Sequence, residues 1–392
     1  MLKVGLFGLG MYSTGRGTNG LGTVLPVLLD LLYKYEIKDI TFFASTKESE
    51  ENSLIDIKNH LKKIKKFKPF IGHLISSYSL SEKSLDERIA HSLIEIAIVV
   101  TPDHTHYSIL DKLANHNVHT MCVKPLTDSL TDAKKITKKF KERELLGAVD
   151  FHKRYDAANQ ILKKEYLSQK IGSLYRVNID YAQPINIPRD FFKKWVDKSN
   201  VFQYLGVHYV DQIFYITNST PKKVSVFPIK GKLFKAIKTY DQINVVIEWE
   251  ELSGNRFNSF HMTSWSEINS SLYVSKQDIE LIGSSGRIKS DQSNRGVSIL
   301  SESGVEIPNP YFTYDFIGNN NPMDIKGYGI DCIKAFFYEA KKTINKKELN
   351  AKNLPDTICT FKDAIVSAAC IDAVNHCLKN HLRESEINVG SE

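Results

Sequence analysis

The chain has 392 residues, 42% hydrophobic and 25% charged, with a net charge of +7, a composition that supplies a substantial core for two or three domains of an ordinary soluble globular protein. Its longest apolar stretch near the N-terminus, Val24 to Leu32, is broken by Asp30 and is far shorter than the ~20 residues that span a bilayer; glycines interrupt the opening MLKVGLFGLG, which reads as a strand and not as a signal peptide. The cysteines, Cys122, Cys332, Cys359, Cys370 and Cys377, are odd in number and include no CxxC pair, which suits a reducing compartment and predicts a cytoplasmic protein.

In chain order, the first third alternates apolar strands with helical patterns, the signature of a parallel sheet with crossover helices. Lys3 to Gly8 reads as the first strand. A helix follows from about Thr23, with Pro26 in its first turn and Val24, Val27, Leu28, Leu31 and Leu32 on one face. Ile40 to Ala44 is a second strand. From Lys58 to Lys68, six lysines interleave with Leu61, Ile64 and Phe67, a spacing that predicts an amphipathic helix with a solvated basic face in preference to a nucleic-acid patch. Ile94 to Val100 and Val118 to Val123 are further strands, with a helix from Tyr107 to Asn115 between them. After Pro125 come a helix from Ser129 to about Leu145, a short strand near Ala148 and a helix from Ala157 to Ser168. Strands follow at Leu174 to Tyr181, Lys223 to Phe227, Asn244 to Trp249, Asn258 to Thr263 and Asp278 to Ile282, the last turning at Gly286 and Arg287 into Ile288. Short connections predict a mostly antiparallel sheet. Helices at Tyr328 to Thr343 and Thr360 to Lys379 close the chain, and only its last few residues read as frayed.

A dinucleotide's pyrophosphate needs backbone N–H groups at a helix start, and glycines where a Cβ would hold the backbone away. Gly8, Gly10 and Ser13 give GxGxxS directly after the first strand; Gly15, Gly17 and Gly20 then form a second GxGxxG, and Gly22 precedes the helix. Either Gly8, Gly10, Met11 and Ser13 line the pyrophosphate and Gly15 to Gly22 is an inserted lip, or the second triplet makes the anion nest; position at the strand end favours the first. Arg16 either meets a phosphate or is a solvated loop residue. The second strand runs into Ser45, Thr46 and Lys47, two hydroxyls and a cation where an acid would bind the ribose 2′-hydroxyl of NAD, so NADP is expected in preference to NAD, although Glu48 and Glu50 lie close.

The fourth strand runs into Thr101, Pro102, Asp103, His104, Thr105, His106, and the next closes with Val123, Lys124, Pro125. Later come FHKRYDAA with Arg154, GVHYVD at Gly206 to Asp211, and ELIGSSGRIKSD at Glu280 to Asp291. In this order the segments resemble the TPxxxH, EKP and later landmarks of the glucose-fructose oxidoreductase/inositol dehydrogenase (Gfo/Idh/MocA) family, and the resemblance covers nearly the whole chain. It implies an α/β Rossmann domain, residues 1–125, and an α+β domain, residues 126–392, with a large, mostly antiparallel open sheet and C-terminal helices packing back toward the Rossmann domain. It further implies hydride transfer between a nicotinamide and a carbinol or carbonyl carbon of a sugar, polyol or nucleotide sugar, and a homo-oligomer, dimer or tetramer. Thr101, Pro102 and His106 fall in the cofactor cleft. Lys124 takes the role of the lysine that binds the reacting oxygen and moves its proton, and also contacts cofactor and substrate. His208 aligns with the catalytic histidine.

If the segment around it is helical, Tyr204, His208 and Asp211 share a face, which makes Tyr204 a further catalytic candidate and places Tyr204, His208, Asp211 and Arg154 at the substrate. Lys153 and Arg154 either bind a carboxylate or phosphate or form a surface ion pair. The three tryptophans, Trp195, Trp249 and Trp265, are either core residues or stacking platforms for a sugar. The chain departs from the family pattern where Tyr204 stands four residues before the histidine in place of an acid, and where Val123 replaces the Glu of EKP. Asp103, His104 and His106 are too closely spaced on a turn to ligate together, and no metal, nucleic acid or membrane partner is expected. Two other readings stay open: an NAD-dependent glycosidase-type member, and a catalytically silent nucleotide-binding or regulatory protein.

Overall fold

Strands covered on both faces have no solvated side to alternate toward, so the near-continuous apolar runs of the N-terminal third belong in a buried parallel sheet. In the computed structural model, β1 (Leu2–Phe7), β2 (Ile37–Phe43), β3 (Leu74–Ser76), β4 (Ile96–Val99), β5 (His119–Val123) and β6 (Gly147–Asp150) form that sheet in the order β6-β5-β4-β1-β2-β3, all parallel, with the short strand Cys359–Thr360 antiparallel on β6. The structure describes residues 1–18, 20–62, 65–193, 195–302, 304–316, 324–346, 349 and 353–390; the chain's last two residues lie outside this set. The strand order reverses between β1 and β4, the switch point at which doubly wound sheets take nucleotides. Helices α1 (Met11–Thr14) and α2 (Val24–Tyr33) follow β1, α3 (Lys47–Lys62) follows β2, α4 (Leu85–Ser92) precedes β4, α5 (His106–Asn115) joins β4 to β5, and α6 (Leu130–Glu142) follows β5.

Asp30, which breaks the apolar run of α2, is buried and held by Lys34 at 2.8 Å and by Lys334 at 3.3 Å. Lys334 belongs to the helix Tyr328–Lys346, whose Ile330, Ile333, Phe336 and Phe337 are buried. The basic segment is not one amphipathic helix: α3 ends at Lys62, and Lys65–His73 is a 3₁₀ run containing Pro69. Proline lacks the N–H and disfavours α geometry in the residue before it, here Lys68, so a regular α-helix is not favoured across Pro69. Leu61 and Phe67 are buried as their spacing predicts; Lys63 and Ile64 lie outside the described residues.

The second sheet runs β7 (Leu174–Pro184), β8 (Thr220–Ile229), β9 (Gln242–Glu250), β10 (Arg256–Glu267), β11 (Lys276–Gly283) and β12 (Gly286–Asp291) in the order β12-β11-β7-β10-β9-β8, with Glu384–Glu386 added on β8. Every pair is antiparallel except β7 and β10. Period-two alternation marks its single buried face. On β10, Phe257, Ser259, His261, Thr263 and Trp265 are buried while Arg256, Asn258, Phe260 and Met262 are exposed. α7 (Ala157–Leu167), α8 (Val207–Thr217) and the helix Phe361–Asn380 supply the other side of this core through Leu162, Val210, Ile213, Ala369 and Val374. Trp249 and Trp265 are fully buried core residues; Trp195 is half-buried.

The chain forms two compact units, one of Met1–Val123, Lys134–His152 and Phe312–Phe361, the other of Lys124–Ala133, Lys153–Tyr311 and Lys362–Glu392. Each unit is assembled from three stretches of the chain. The physical reason is pairing: β6 and Cys359–Thr360 are strands of the first sheet, and the helix Tyr328–Lys346 is tied to α2 of the same unit by the Lys334–Asp30 pair. The helix Phe361–Asn380, by contrast, joins the core of the second unit.

Candidate active site

In the first unit the site is built around the end of β1. Gly8 has φ 89°, and a Cβ there would collide with the carbonyl of Val100, so only glycine lets β1 end against β4 at this point. Gly10 caps α1, and a Cβ there would meet nothing within 4 Å. The start of α1 is thus an open cradle at the carboxyl end of the central strand, suited to a pyrophosphate. Met11 opens the helix and is half-buried, whereas the Ser13 hydroxyl is buried and donates to Gly10 O at 3.1 Å, closing the turn.

The second glycine triplet begins at a tight crossing of the chain. Gly15 and Gly22 both have φ 72° and cross so closely that a Cβ on either would strike the other's strand of the loop. Thr18 closes it, its N–H and hydroxyl both donating to Gly15 O at 2.8 and 2.7 Å, and Thr23 N donates to Tyr12 O at 2.7 Å. Gly15 and Gly22 serve a compact backbone crossing, whereas Gly17 has open space around it.

His106 is fully buried, with Nε2 2.8 Å from the carbonyl of Thr101, while Thr105 Oγ1 lies 2.8 Å from Thr101 Oγ1 and donates to Pro102 O at 2.7 Å. These bonds fix the turn that follows β4. The sequence reading missed a group at the end of β6. Tyr12 donates to Asp150 Oδ2 at 2.6 Å, and His152 lies 3.5 Å from the other oxygen, with Phe312 and Tyr328 packed on the imidazole at ring distances of 5.1 and 5.7 Å. Burial first, then Asp150, pushes the Tyr12 hydroxyl well above the usual phenol range. For Asp150 burial raises the pKa, but the bonds from His152 and Tyr12 prevail and hold it below the usual carboxylate range. The only sequence signal was an acid ending an apolar strand.

In the second unit, Lys124 donates to the backbone carbonyl of Tyr204 at 2.6 Å, and its ammonium lies 3.6 Å from the centroid of the Tyr204 ring. The peptide bond from Lys124 to Pro125 is cis. Tyr204 is part of an aromatic group with Phe192, Trp195 and Trp265 at ring distances of 4.8, 6.1 and 5.9 Å. The segment is helical but not regular, since Phe202–Gly206 is a π turn before α8 begins at Val207. Tyr204 thus lies within the π turn and His208 in the α-helix that continues it. A ring on Gly206 would have no room, because even a Cβ there would strike Phe202. His208 is buried in the first turn of α8, its ring 6.1 Å from that of Tyr181.

Arg154 and Asp211, expected at the substrate, hold each other. Arg154 Nε and Nη2 donate to the two oxygens of Asp211 at 2.9 and 2.6 Å, with 3% and 2% of the side chains exposed. This bidentate pair joins the 3₁₀ turn His152–Tyr155, just before α7, to α8. Lys153 is neither a surface residue nor ion-paired at close range: its buried ammonium is held by the side-chain oxygens of Gln277 and Gln292, the latter at 3.0 Å, with the Tyr209 ring centroid 4.9 Å away. Burial lowers its pKa to about 7 against a partial opposing pull from Asp156.

The unfolded chain keeps this lysine protonated up to about pH 10.4, so between that value and pH 7 unfolding takes up a proton and stability rises with pH, by at most about 1.4 kcal/mol per pH unit. Urea unfolding of the intact chain at pH 6.5, 8 and 9 is expected to show this rise, and Lys153→Met to flatten it; the same slope in both proteins refutes the assignment.

Two family models match: residues 48–151 fit "Oxidoreductase family, NAD-binding Rossmann fold", and residues 159–289 fit the "GFO/IDH/MocA C-terminal domain". An uncharacterized oxidoreductase of Schizosaccharomyces pombe is 25% identical over 170 residues, covering 42% of this chain and 45% of the relative. Inositol 2-dehydrogenase of Rhizobium meliloti is 22% identical over 233 residues, 59% of this chain and 67% of the relative. The matched stretches therefore span about half to two thirds of these relatives' lengths. Among solved structures, myo-inositol 2-dehydrogenase from Lactobacillus plantarum superposes with a TM-score of 0.69 at 16% identity over 99% of each chain. Scyllo-inositol dehydrogenase from Lactobacillus casei, bound to NAD(H) and scyllo-inositol, does so with 0.67 at 14% identity over 100% of each. These likenesses establish the Rossmann domain and the second, mostly antiparallel sheet domain. With both of its domain models matched and its landmarks in order, the chain belongs to the Gfo/Idh/MocA oxidoreductase family.

Proposed function

We propose that the chain is a nicotinamide-dependent dehydrogenase or reductase acting on a CH–OH carbon of a cyclic polyol or sugar derivative, with NADP preferred to NAD. The observation that carries this is the open glycine cradle at Gly10, at the switch point of a parallel sheet. Gly8, Gly10 and Met11 hold the pyrophosphate there, Thr101 and Pro102 border the cofactor, and Ser45, Thr46 and Lys47 meet the adenosine ribose. A nicotinamide so bound supplies the hydride acceptor or donor. Lys124 binds the reacting oxygen, and its Nζ, kept in place by the face and carbonyl of Tyr204, donates to that oxygen as the ammonium or receives its proton as the neutral amine. His208 is the second proton-handling group. Tyr204 positions Lys124 in place of the missing carboxylate; a phenol at neutral pH is a donor, not a base. Arg154 and Asp211 act through the scaffold.

Inositol dehydrogenases among the relatives favour a polyol over the glycosidase-type and silent readings. Assaying the purified chain with NADP+ and NAD+ against a panel of inositols, sugars and sugar phosphates tests the proposal: absorbance of reduced nicotinamide is expected with a cyclic polyol or sugar. Binding of neither dinucleotide refutes it.

The open face of the second sheet exposes Phe227, Ile229, Phe260 and Met262, which supports a homo-oligomer formed through this face. The described cysteines are buried thiols outside any disulfide, which supports the cytoplasm as the compartment. No helix among the described residues is long and apolar enough to cross a membrane.

A further inference from the structure

Resting on the dinucleotide reading above, we propose that Arg16 is the specificity residue of the cofactor site: the Gly15–Gly22 crossing presents its guanidinium to the 2′-phosphate of NADP, beside Ser45, Thr46 and Lys47. The argument begins at the end of β2, where an NAD site keeps an acid free for the ribose hydroxyls. Here Glu50 is fully buried and already spent. Its carboxylate accepts from Ala44 N and Ser76 Oγ, both at 2.7 Å, from Ser77 Oγ at 2.9 Å and from Tyr78 N at 3.2 Å, with Arg88 3.7 Å away. What the strand end offers to solvent instead is Ser45, Thr46 and Lys47, all exposed. Lys47 is paired with Glu82, but both partners are exposed, and a pair of that kind is weak enough to yield to a phosphate dianion.

Arg16 comes from a different part of the chain and arrives at the same place. Gly15 turns the backbone out of α1 in the left-handed conformation, and the bonds from Thr18 to Gly15 O fix the loop. The Arg16 side chain, exposed to solvent, donates through Nη1 to Ser49 Oγ at 3.4 Å, in the first turn of α3. That long bond leaves most of its donor fork unused, and a guanidinium fork matches phosphate geometry. The α3 N-terminus adds its own positive end to the same spot. The glycines after Gly10 therefore have a purpose: they deliver a cation from the pyrophosphate turn to the ribose end of the same dinucleotide.

The test is equilibrium binding of NADP+, NAD+, 2′,5′-ADP and 5′-AMP to the intact wild-type chain and to Arg16→Ala and Arg16→Lys, with thermal melting to confirm that each variant is folded. Wild type is expected to bind NADP+ over NAD+ and 2′,5′-ADP over 5′-AMP. Arg16→Ala should weaken NADP+ and 2′,5′-ADP by about tenfold or more while leaving NAD+ and 5′-AMP within about twofold, with Arg16→Lys in between. Glu48, exposed in the same turn, is the acid an NAD-specific site would use. A wild-type preference for NAD+, or an Arg16→Ala loss equal for both dinucleotides, overturns this inference and leaves the dehydrogenase reading standing. Binding of neither dinucleotide by wild type overturns both.

Discussion

Replacing Lys124 by Ala is expected to lower kcat by about three orders of magnitude, the middle of the range a positioned proton donor supplies, while the Kd for the dinucleotide changes by less than about threefold. The split follows from where the lysine is bound. Its ammonium touches the ring and the carbonyl of Tyr204, and it lies outside the glycine turn. Lys124→Arg is expected to be nearly as inactive, because a guanidinium keeps its proton throughout the working range. Tyr204→Leu removes the aromatic face but leaves the backbone carbonyl, so it should retain part of the rate and displace the lysine-dependent limb of the pH–rate profile. A cation over a ring is worth roughly 0.5–2 kcal/mol, which bounds that displacement to about one pH unit. Steady-state kinetics with the substrate found in the panel, together with dinucleotide titration, settles the matter. A Lys124→Ala protein within tenfold of wild-type kcat refutes the role.

The second large effect concerns stability. Asp211→Ala leaves the Arg154 guanidinium buried without its bidentate partner, and breaking a buried pair on one side costs about 3–5 kcal/mol. For a unit of this size that corresponds to a fall in Tm of about 10 °C. Removing both charges as Arg154→Met with Asp211→Leu should recover most of the loss, since an apolar replacement of the whole pair strands no charge. Calorimetry of the single and double variants checks this; a double variant as unstable as the sum of the two singles refutes the pair as the cause. The same experiment separates scaffold from site. If Arg154 bound substrate directly, the double variant would be stable but would lose affinity for it.

Much of this architecture was legible in the residues. β1, β4 and β5 announce themselves through apolar runs of the right length, and on β10 the alternation from Phe257 to Trp265 marks which side is buried. The glycines at 8 and 10 located the cradle because the strand ended there. What the sequence did not disclose depends on partners far along the chain. Nothing in FHKRYDAA says that Arg154 is spent on Asp211, as nothing near Glu50 says that Ser76 and Ser77 will fill its lone pairs. The π turn that carries Tyr204 was hidden for a local reason, since it has no periodic signature over five residues. Asp150 and Tyr12 were invisible because each alone looks like an ordinary strand-end acid and an ordinary loop tyrosine.

The interleaving of the two units along the chain bears on biosynthesis. When β5 leaves the ribosome its neighbour β6 has yet to be made, and the strand Cys359–Thr360 that covers β6 is made only after every strand from β7 to β12. For that whole interval the first sheet carries an uncovered edge, a template for unwanted strand pairing. A nascent chain stalled at Pro125 or a fragment cut there is therefore a candidate for chaperone capture and aggregation, not a miniature nucleotide-binding protein.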